Sequence, residues 1–504
     1  MDVRWAALGD RGRPVYLYEK DRTTKFRQVL WGDYLRIEGE VAGGWLKVKW
    51  APNSPDPPEV YIKKSDTIER RPLEVIFVDV GQGDGAVLIT PETGSKERVL
   101  VVDAGEGNNM GSFLNGRFGS YRTGFGFHAA VITHPDSDHY WGFRPLFANH
   151  KVGFKTVYHN GLVERPVSGT WAKLGGLSPQ DPSTGTQYLS QLAVDDAVIQ
   201  AEFSDPEANG RKMFPQVMFA ALENPRIEQF RMLSTAHGQR EDGKTYMPGF
   251  APSDGRGYTI EVLGPMVEPG PGGVPRLRRL GDYGETKNGH SVLLKLRYGN
   301  FQLLFGGDLN RHAEEFLLAH YAGIDAFPDP GTQAYADMIT DASSTFRSDV
   351  LKVCHHGSAE VTDAFLAAVN PAAFVISSGD QEGHIHPRPD LLGRLGRFGR
   401  GPAPVLLSTE LQRSTRERED FKLVGDLERD IGTLAAQPSV ELRDSITDRV
   451  AELARTNVDV WGAIYLKTDG ERLITAFKIE AGSPTKRWFY FEYAFDETGQ
   501  LVLV

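Results

Sequence analysis

The sequence predicts an α/β protein with a small all-β unit at its N-terminus. Three features predict it. Residues 1 to about 70 hold short alternating runs broken by Gly, Asp and Pro. From Leu73 onward, β-branched apolar runs alternate with stretches of helical spacing. One of those runs, Phe127 to Thr133, leads directly into His134-Pro135-Asp136-Ser137-Asp138-His139, with two imidazoles and two carboxylates in six positions. Pro135 keeps His134 out of the helical region, so the four groups are expected on a loop at a strand end, folded inward around one point. Imidazole plus carboxylate is a ligand set for zinc, manganese or iron, and four such groups this close argue against an ordinary polar turn.

At 504 residues the chain has room for two or three domains. It is 40% hydrophobic and 24% charged, which places it with globular rather than disordered chains. The formal net charge of -11 gives no overall attraction to nucleic acid or a membrane surface, although a local basic cleft is still open to nucleic acid. The single cysteine, Cys354, excludes an intrachain disulfide framework. Met1 to Asp10 lacks the apolar run of a signal peptide, and no stretch of about 18 apolar residues marks a membrane span. A cytoplasmic protein with no membrane partner is expected.

In the first unit, Val15 to Tyr18, Gln28 to Trp31, Tyr34 to Val41 and Trp45 to Trp50 read as strands. In the last of these Trp45, Lys47 and Lys49 alternate with Leu46, Val48 and Trp50, the period of a half-buried strand. Strands at this spacing suggest a small barrel. Pro52 to Pro58 reads as a loop and Arg70-Arg71-Pro72 as the linker. Val75 to Val78 opens the second unit and runs into Asp79 to Ala86, where Gly81, Gly83 and Gly85 allow a tight turn. No phosphate-loop or dinucleotide fingerprint is present, so the turn is expected to let backbone pass close to a site. Ala86 to Ile89 and Val99 to Val102 are further strands, the second running into Asp103-Ala104-Gly105.

A long insertion is expected over about 160–285, with helices over Leu189 to Ile199 and Pro225 to Leu233, a core strand over Tyr258 to Leu263 and a Pro/Gly-rich loop from Gly264 to Pro275. Arg276, Arg278 and Arg279 follow; they suit either a phosphodiester backbone or a solvated loop. Strands over Gln302 to Phe305 and Val350 to Val353 precede Gly307-Asp308 and His355-His356. Thr362 to Val369 and Leu391 to Phe398 read as helices, with Arg394, Arg397 and Arg400 at or near the exposed side of the second. Phe374 to Ser378 is a strand between them, followed by Gly383-His384-Ile385-His386-Pro387. A charged run from Arg413 to Lys422 and an amphipathic helix over Glu441 to Ala454, through Leu442, Ile446, Val450 and Leu453, fill about 409–457. The tail returns to strands, with Asp469-Gly470 as a hairpin signal and an aromatic run from Trp488 to Phe495 read as a buried sheet edge.

The order FVDVGQGDGAVL, VVDAGEG, VITHPDSDHYWG, NGHSVLLKLRYGNFQLLFGGDL, DVLKVCHHGS and GHIHPRP resembles the metallo-β-lactamase fold, and most of all the soluble hydrolase domain attached to ComEC competence proteins. The resemblance runs discontinuously from about Leu73 to Leu407, and the membrane-channel part of ComEC is absent, so transport is not implied. It implies a four-layer αββα sandwich over 71–504 with insertions at about 160–285 and 409–457. Residues 1–70, through Gly32 to Ile37, Gly44 to Val48 and Val60 to Ile62, resemble a bacterial SH3-like domain. Such modules bind peptide, glycan or another domain; a structural cap on the next domain is the other reading.

Residue by residue, the resemblance implies two divalent metal ions, zinc or manganese. His134 takes the place of the first histidine of the family loop, and Asp136 replaces the second, as in ComEC-like members. Asp138 and His139 match the pair that holds the other ion, Asp308 matches the bridging carboxylate, and His355 is expected as the final ligand. His356 is then expected to face substrate or support the ligands, and His386 to touch the scissile group; His384 is a weaker candidate. Asp138, His356 and His386 are the expected catalytic residues. The family's additional histidine falls where this chain reads Asn288-Gly289-His290-Ser291, so His290 or Asn288 contacts the metal, or the pair only braces the loop. The oxygen-rich set shifts preference toward manganese. The implied activity is hydrolysis by a metal-bound hydroxide, on phosphodiesters of nucleic acid or nucleotides, with residues 1–70 and 409–457 as docking elements of an effector in a larger system. Hydrolysis of esters, lactones or amides, and a regulatory binding protein with a vestigial metal site, are the alternatives.

Overall fold

The computed structural model describes residues 2–50, 58–118, 124–182, 184–379, 386–409, 421–447, 462–479 and 483–504. It is a mixed α/β structure with several sheets. Most strands of the larger unit are apolar on both faces, and their two-residue period divides each strand between two environments. In Leu73–Phe77, Val75 and Phe77 belong to one core and Ile76 to another. The same division sends Leu100 and Val102 one way and Val101 the other.

The first core lies between two large sheets. One runs Phe230–Met232, Val152–His159, Phe125–Ile132, Val99–Ala104, Gly85–Ile89, Leu73–Phe77, Ile464–Thr468, Arg472–Lys478, Trp488–Phe495 and Leu501–Leu503. The other runs Gln239–Glu241, Lys244–Tyr246, Tyr258–Gly264, Leu293–Tyr298, Phe301–Phe305, Val350–Lys352, Ala373–Ile376 and Val405–Ser408. Val75, Leu88, Leu100 and Val131 of the first meet Ile260, Leu294, Leu303 and Val375 of the second, and the Phe77 and Phe305 rings lie 5.9 Å apart. Helices cover the outer faces. Asn109–Arg117, Phe143–Phe147, Asp196–Phe203 and Met213–Leu222 pack on the first sheet. Arg311–Tyr321, Gln333–Phe346, Asp363–Val369 and Pro389–Phe398 pack on the second. The tail is integral, because Ile464–Thr468 pairs antiparallel with Leu73–Phe77, the strand that opens the unit. Trp488–Phe495 is accordingly a paired inner strand and not a sheet edge. Among the described residues no helix is long and apolar enough to cross a membrane.

Residues 2–68 form a separate seven-stranded sheet around Val15, Leu17, Leu35, Ile37, Leu46, Val48, Val60 and Ile62. Its alternation is as the sequence predicts: Leu46 and Val48 are buried while Trp45 and Lys47 are half-buried. It is bound to the tail strands rather than free. Leu8, Leu30 and Trp31 pack with Ile474 and Ala476. Gln28 is 3% exposed; its carbonyl accepts from Arg487 N at 2.7 Å and Trp488 N at 2.9 Å, and its amide donates to Trp488 O at 3.2 Å. The linker is held as well, since Arg71 bonds Glu92 O at 2.9 Å and Glu97 Oε1 at 2.5 Å.

The insertion corrects several expectations. The helix expected over Leu189 to Ile199 begins at Asp196, because Asp195 turns out of the extended chain and its side chain caps Ala197 N and Val198 N. Pro225 to Leu233 is not a helix: Phe230 and Met232 are buried with Arg231 between them, and the three extend the first sheet in parallel with Val157 to His159. The three arginines are engaged within the insertion, with Arg276 and Arg278 half-buried and Arg279 exposed. Arg276 stacks 3.5 Å from the Tyr188 ring centroid. Arg278 is paired with both oxygens of Glu268 at 2.8 and 2.5 Å. Arg279 bonds Gln187 Oε1 and Gly281 O. Arg394 and Arg400 are likewise spent on Asp363 and Asp349. Residues 440–447 are helical, as expected for the start of the amphipathic segment, and a helix not anticipated, Phe421–Ala436, precedes it. Val450 and Leu453, most of the charged run Arg413 to Lys422, the greater part of the loop from Pro52 to Pro58, and His384 lie outside the described residues.

Candidate metal centre

The strands Val99–Ala104 and Phe125–Ile132 run parallel and end side by side. Asp103, buried at the end of the first with φ of 54°, turns its carboxylate onto the loop leaving the second. Oδ1 accepts from Thr133 N at 2.8 Å; Oδ2 accepts from Thr133 Oγ1 at 2.6 Å and lies 2.8 Å from His139 Nδ1. A carboxylate needs a donor, so His139 carries its proton on Nδ1 and presents Nε2 to the site. The loop ends at Asp136. Ser137–Tyr140 is a short helix, and that turn aims the adjacent Asp138 and His139 at one point. The Gly81 to Gly85 turn passes directly against it: a Cβ on Gly83 would lie 1.7 Å from Asp138 O. This is the close approach its glycines predict.

That turn places Asp84. Its Oδ2 is ion-paired with Lys352 and its Oδ1 lies 3.1 Å from His356 Nδ1. His355 and His356 both have left-handed backbone, φ of 47° and 52°, a conformation rarely adopted by residues other than glycine. The consequence is that His356, not His355, enters the cluster. His356 Nε2 is 3.0 Å from Asp308 Oδ2, 3.4 Å from Asp138 Oδ2 and 3.4 Å from His139 Nε2; His139 Nε2 is 3.1 Å from the same Asp308 oxygen. Asp84, His139, Asp308 and His356 form a buried group that could hold a metal ion. Within it His356 Nδ1 bonds Ser377 O at 3.1 Å with Asp84 Oδ1 alongside at 3.1 Å, and Asp138 meets the Nε2 side. The convergent donor atoms are therefore His139 Nε2, His356 Nε2, Asp308 Oδ2 and Asp138 Oδ2, with Asp103 and Asp84 holding the two rings from behind.

The electrostatics agree. Burial pushes both imidazoles toward the neutral form, but Asp308 and Asp103 carry His139, and Asp308 and Asp84 carry His356, well above the ordinary histidine pKa. Burial raises Asp308, yet the two imidazoles hold it well below the usual carboxylate range. Four carboxylates around two imidazoles stabilise positive charge on the rings, and a metal ion replaces the protons where the Nε2 atoms meet.

The other expected residues divide. His134 is fully buried beside the cluster; its Nδ1 meets only the hydroxyls of Thr133 at 3.2 Å and Ser291 at 3.3 Å, and its Nε2 has no hydrogen-bond partner. That Nε2 is 3.7 Å from Asp136 Oδ2 and 4.0 Å from Asp308 Oδ2. Asp136 is ion-paired with Lys287. His290 is not brought to the centre: its Nε2 bonds Arg278 O at 2.7 Å, and burial lowers its pKa to about 4. His355, the expected ligand, instead lies at the mouth with its Nε2 3.5 Å from the Asn288 amide. Its ring is 5.8 Å from that of His386, which is half-buried beside it. Sequence reasoning missed Asp84, Asp103, Lys352 and Lys287 as parts of the site. The signal for Asp103 and Lys352 was a lone charge inside or at the end of an apolar run, as in VVDAG and VLKV.

No protein-family model matches the chain, and no curated protein is similar to it.

Proposed function

We propose that the protein is a metal-dependent hydrolase of metallo-β-lactamase type, acting on phosphodiesters. One observation carries the reading: two buried imidazoles, each backed by a carboxylate on Nδ1, converge through Nε2 on Asp308 and Asp138. The donor set fits a divalent ion. Ligands about 2.0–2.1 Å from a tetrahedral zinc lie about 3.3 Å apart, and the separations here are 3.0 to 3.4 Å. The two facing sheets with helices outside support an αββα sandwich for 71–504, and the seven-stranded sheet supports an SH3-like unit for 1–70 that serves as a cap on the tail strands.

When bound, a divalent ion supplies a nucleophile at neutral pH by lowering the pKa of its water to about 7. The chain's own residues do the rest. Asp103 fixes the tautomer and aim of His139, and Ser377 O, with the Asp84 carboxylate beside it, those of His356. Asp138, with 18% of its side chain exposed, is the member of the cluster that meets solvent; burial raises its pKa, but His356 and His139 hold it well below the usual carboxylate range, so it stays ionised as a donor to the ion. His355 and His386 stand at the mouth, where their N–H groups can hold an oxyanion and protonate a leaving oxygen. Two imidazole donors at the mouth favour an anionic substrate over a neutral ester.

The test is a screen with manganese or zinc against labelled single- and double-stranded DNA, RNA and cyclic dinucleotides, beside ester, lactone and β-lactam substrates. Phosphodiester cleavage that disappears in His139→Ala supports the reading. Cleavage of esters alone overturns the substrate class, and phosphodiester cleavage unchanged in metal-free protein overturns the mechanism.

A further inference from the structure

We propose that the centre holds one metal ion and that the ammonium of Lys287 stands where a second ion would otherwise be needed. This rests on the metal-centre reading above. A second ion would have to bind on the His134 side, where His134 Nε2 faces Asp136 Oδ2 at 3.7 Å and the shared Asp308 Oδ2 at 4.0 Å. Asp136 is already committed. Its Oδ1 is ion-paired with Lys287 Nζ. Its Oδ2 lies 2.8 Å from the Asn288 amide nitrogen when that amide is oriented to satisfy its neighbours, an orientation that also bonds Gly284 O at 3.2 Å.

The cation is built in. Lys287 is 7% exposed and also bonds Glu164 Oε1 at 3.1 Å and Pro135 O at 3.4 Å. Lys287 and Asn288 share the helix Tyr283–Gly289, which starts at a reciprocal cap between Asp282 and Glu285. Asn310 Nδ2 fixes that helix again through Glu285 O at 2.7 Å. Two donors are thus delivered to one carboxylate by one braced element. Among the described residues, what remains for a second ion is His134 Nε2, an oxygen shared with the first, and the ring of His355, whose Nε2 already faces the Asn288 amide at 3.5 Å. Catalytic zinc sites ordinarily offer three protein ligands, and a second dication would face the ammonium at short range across a buried carboxylate, where like-charge repulsion is weakly screened. On the other side Lys352 reaches Asp308 only through Oδ1, at 3.9 Å, and leaves Oδ2 to the imidazoles.

The deciding measurement is metal content. Stripped wild-type protein, Lys287→Met and Lys287→Arg are each titrated with manganese and with zinc, and bound metal per chain is read by elemental analysis after gel filtration. Circular dichroism confirms that each variant is folded; methionine keeps the length of the stem and arginine keeps the charge. The expected result is one ion in wild type and in Lys287→Arg, and two in Lys287→Met, because removing the ammonium frees Asp136. Two ions in wild type overturn the proposal, as does a single ion in folded Lys287→Met. No tightly bound ion in wild type refutes the metal-centre reading itself, a failure distinct from either of these.

Discussion

His134 and His139 leave the same short loop, and both are fully buried, yet the two sides of the centre they begin are built differently. On the His139 side every imidazole has a carboxylate behind it: Asp103 for His139 and Asp84 for His356. On the His134 side the ring meets two hydroxyls, and the nearby carboxylate, Asp136, lies on the Nε2 side and is ion-paired with Lys287, as Asp84 is with Lys352. Ligand types are similar on both sides, but the donor atoms lie 3.0 to 3.4 Å apart on the His139 side and 3.7 to 4.0 Å apart on the His134 side. The groups behind the ligands decide which side concentrates negative charge on one point.

The largest effect expected from this difference comes from the rings themselves. His139→Ala or His356→Ala should abolish metal binding and lower activity by about a thousandfold or more, while His355→Ala should leave metal content intact. Metal titration of the three variants checks it, and loss of metal in His355→Ala with retention in His356→Ala would reverse the assignment. Next, Asp103→Asn and Asp84→Asn, which keep the shape but lose the charge behind each ring, should weaken metal affinity about 10–100-fold. An effect confined to one of them would show that the two imidazoles are not equivalent.

Smaller effects mark what is structural. His290 and His159 are buried with pKa values lowered to about 4, for both because burial disfavours the charged ring. The unfolded chain takes up these protons near pH 6.5 and the folded chain only near 4. Stability is therefore full above about 6.5 and lost as pH falls toward 4, by up to about 3 kcal/mol per ring. Urea unfolding of metal-free protein at pH 7 and 4.5 should show the loss, and His290→Gln should flatten the slope without changing metal content at neutral pH. Outside the centre, Gln28→Ala should cost about 1 kcal/mol or more by leaving the half-buried Arg487 and Trp488 N–H groups without their acceptor, again with metal content unchanged. A lowered melting temperature shows residues 2–68 acting as a cap; an unchanged one would return them to the role of an independent docking module.

The strands and the ligand loop were legible because they obey local rules. Leu46 and Val48 alternate with Trp45 and Lys47, and the apolar run ending at Ile132 cannot be anything but buried. Asp138, His139 and Asp308 could be named from motif order alone. The choice between His355 and His356 could not, because it turns on two consecutive left-handed residues that no side-chain pattern announces. The insertion misled for a related reason. Phe230 to Met232 has a composition that suits a helix or a strand, and only pairing with a strand about seventy residues earlier in the chain settles it. The arginines after Pro275 looked like an anion site because their partners, Glu268, Tyr188 and Gln187, are not visible as partners until the chain is folded.

An ion held by two particular imidazoles is tested most directly by an anomalous-scattering map from crystals grown with manganese or zinc. It should show a peak at bonding distance, about 2.0–2.2 Å, from both His139 Nε2 and His356 Nε2, with Asp308 and Asp138 completing the contacts and no peak of comparable height between His134 and Asp136. A peak held by His134 and Asp136, or one that reaches His355 in place of His356, would contradict it.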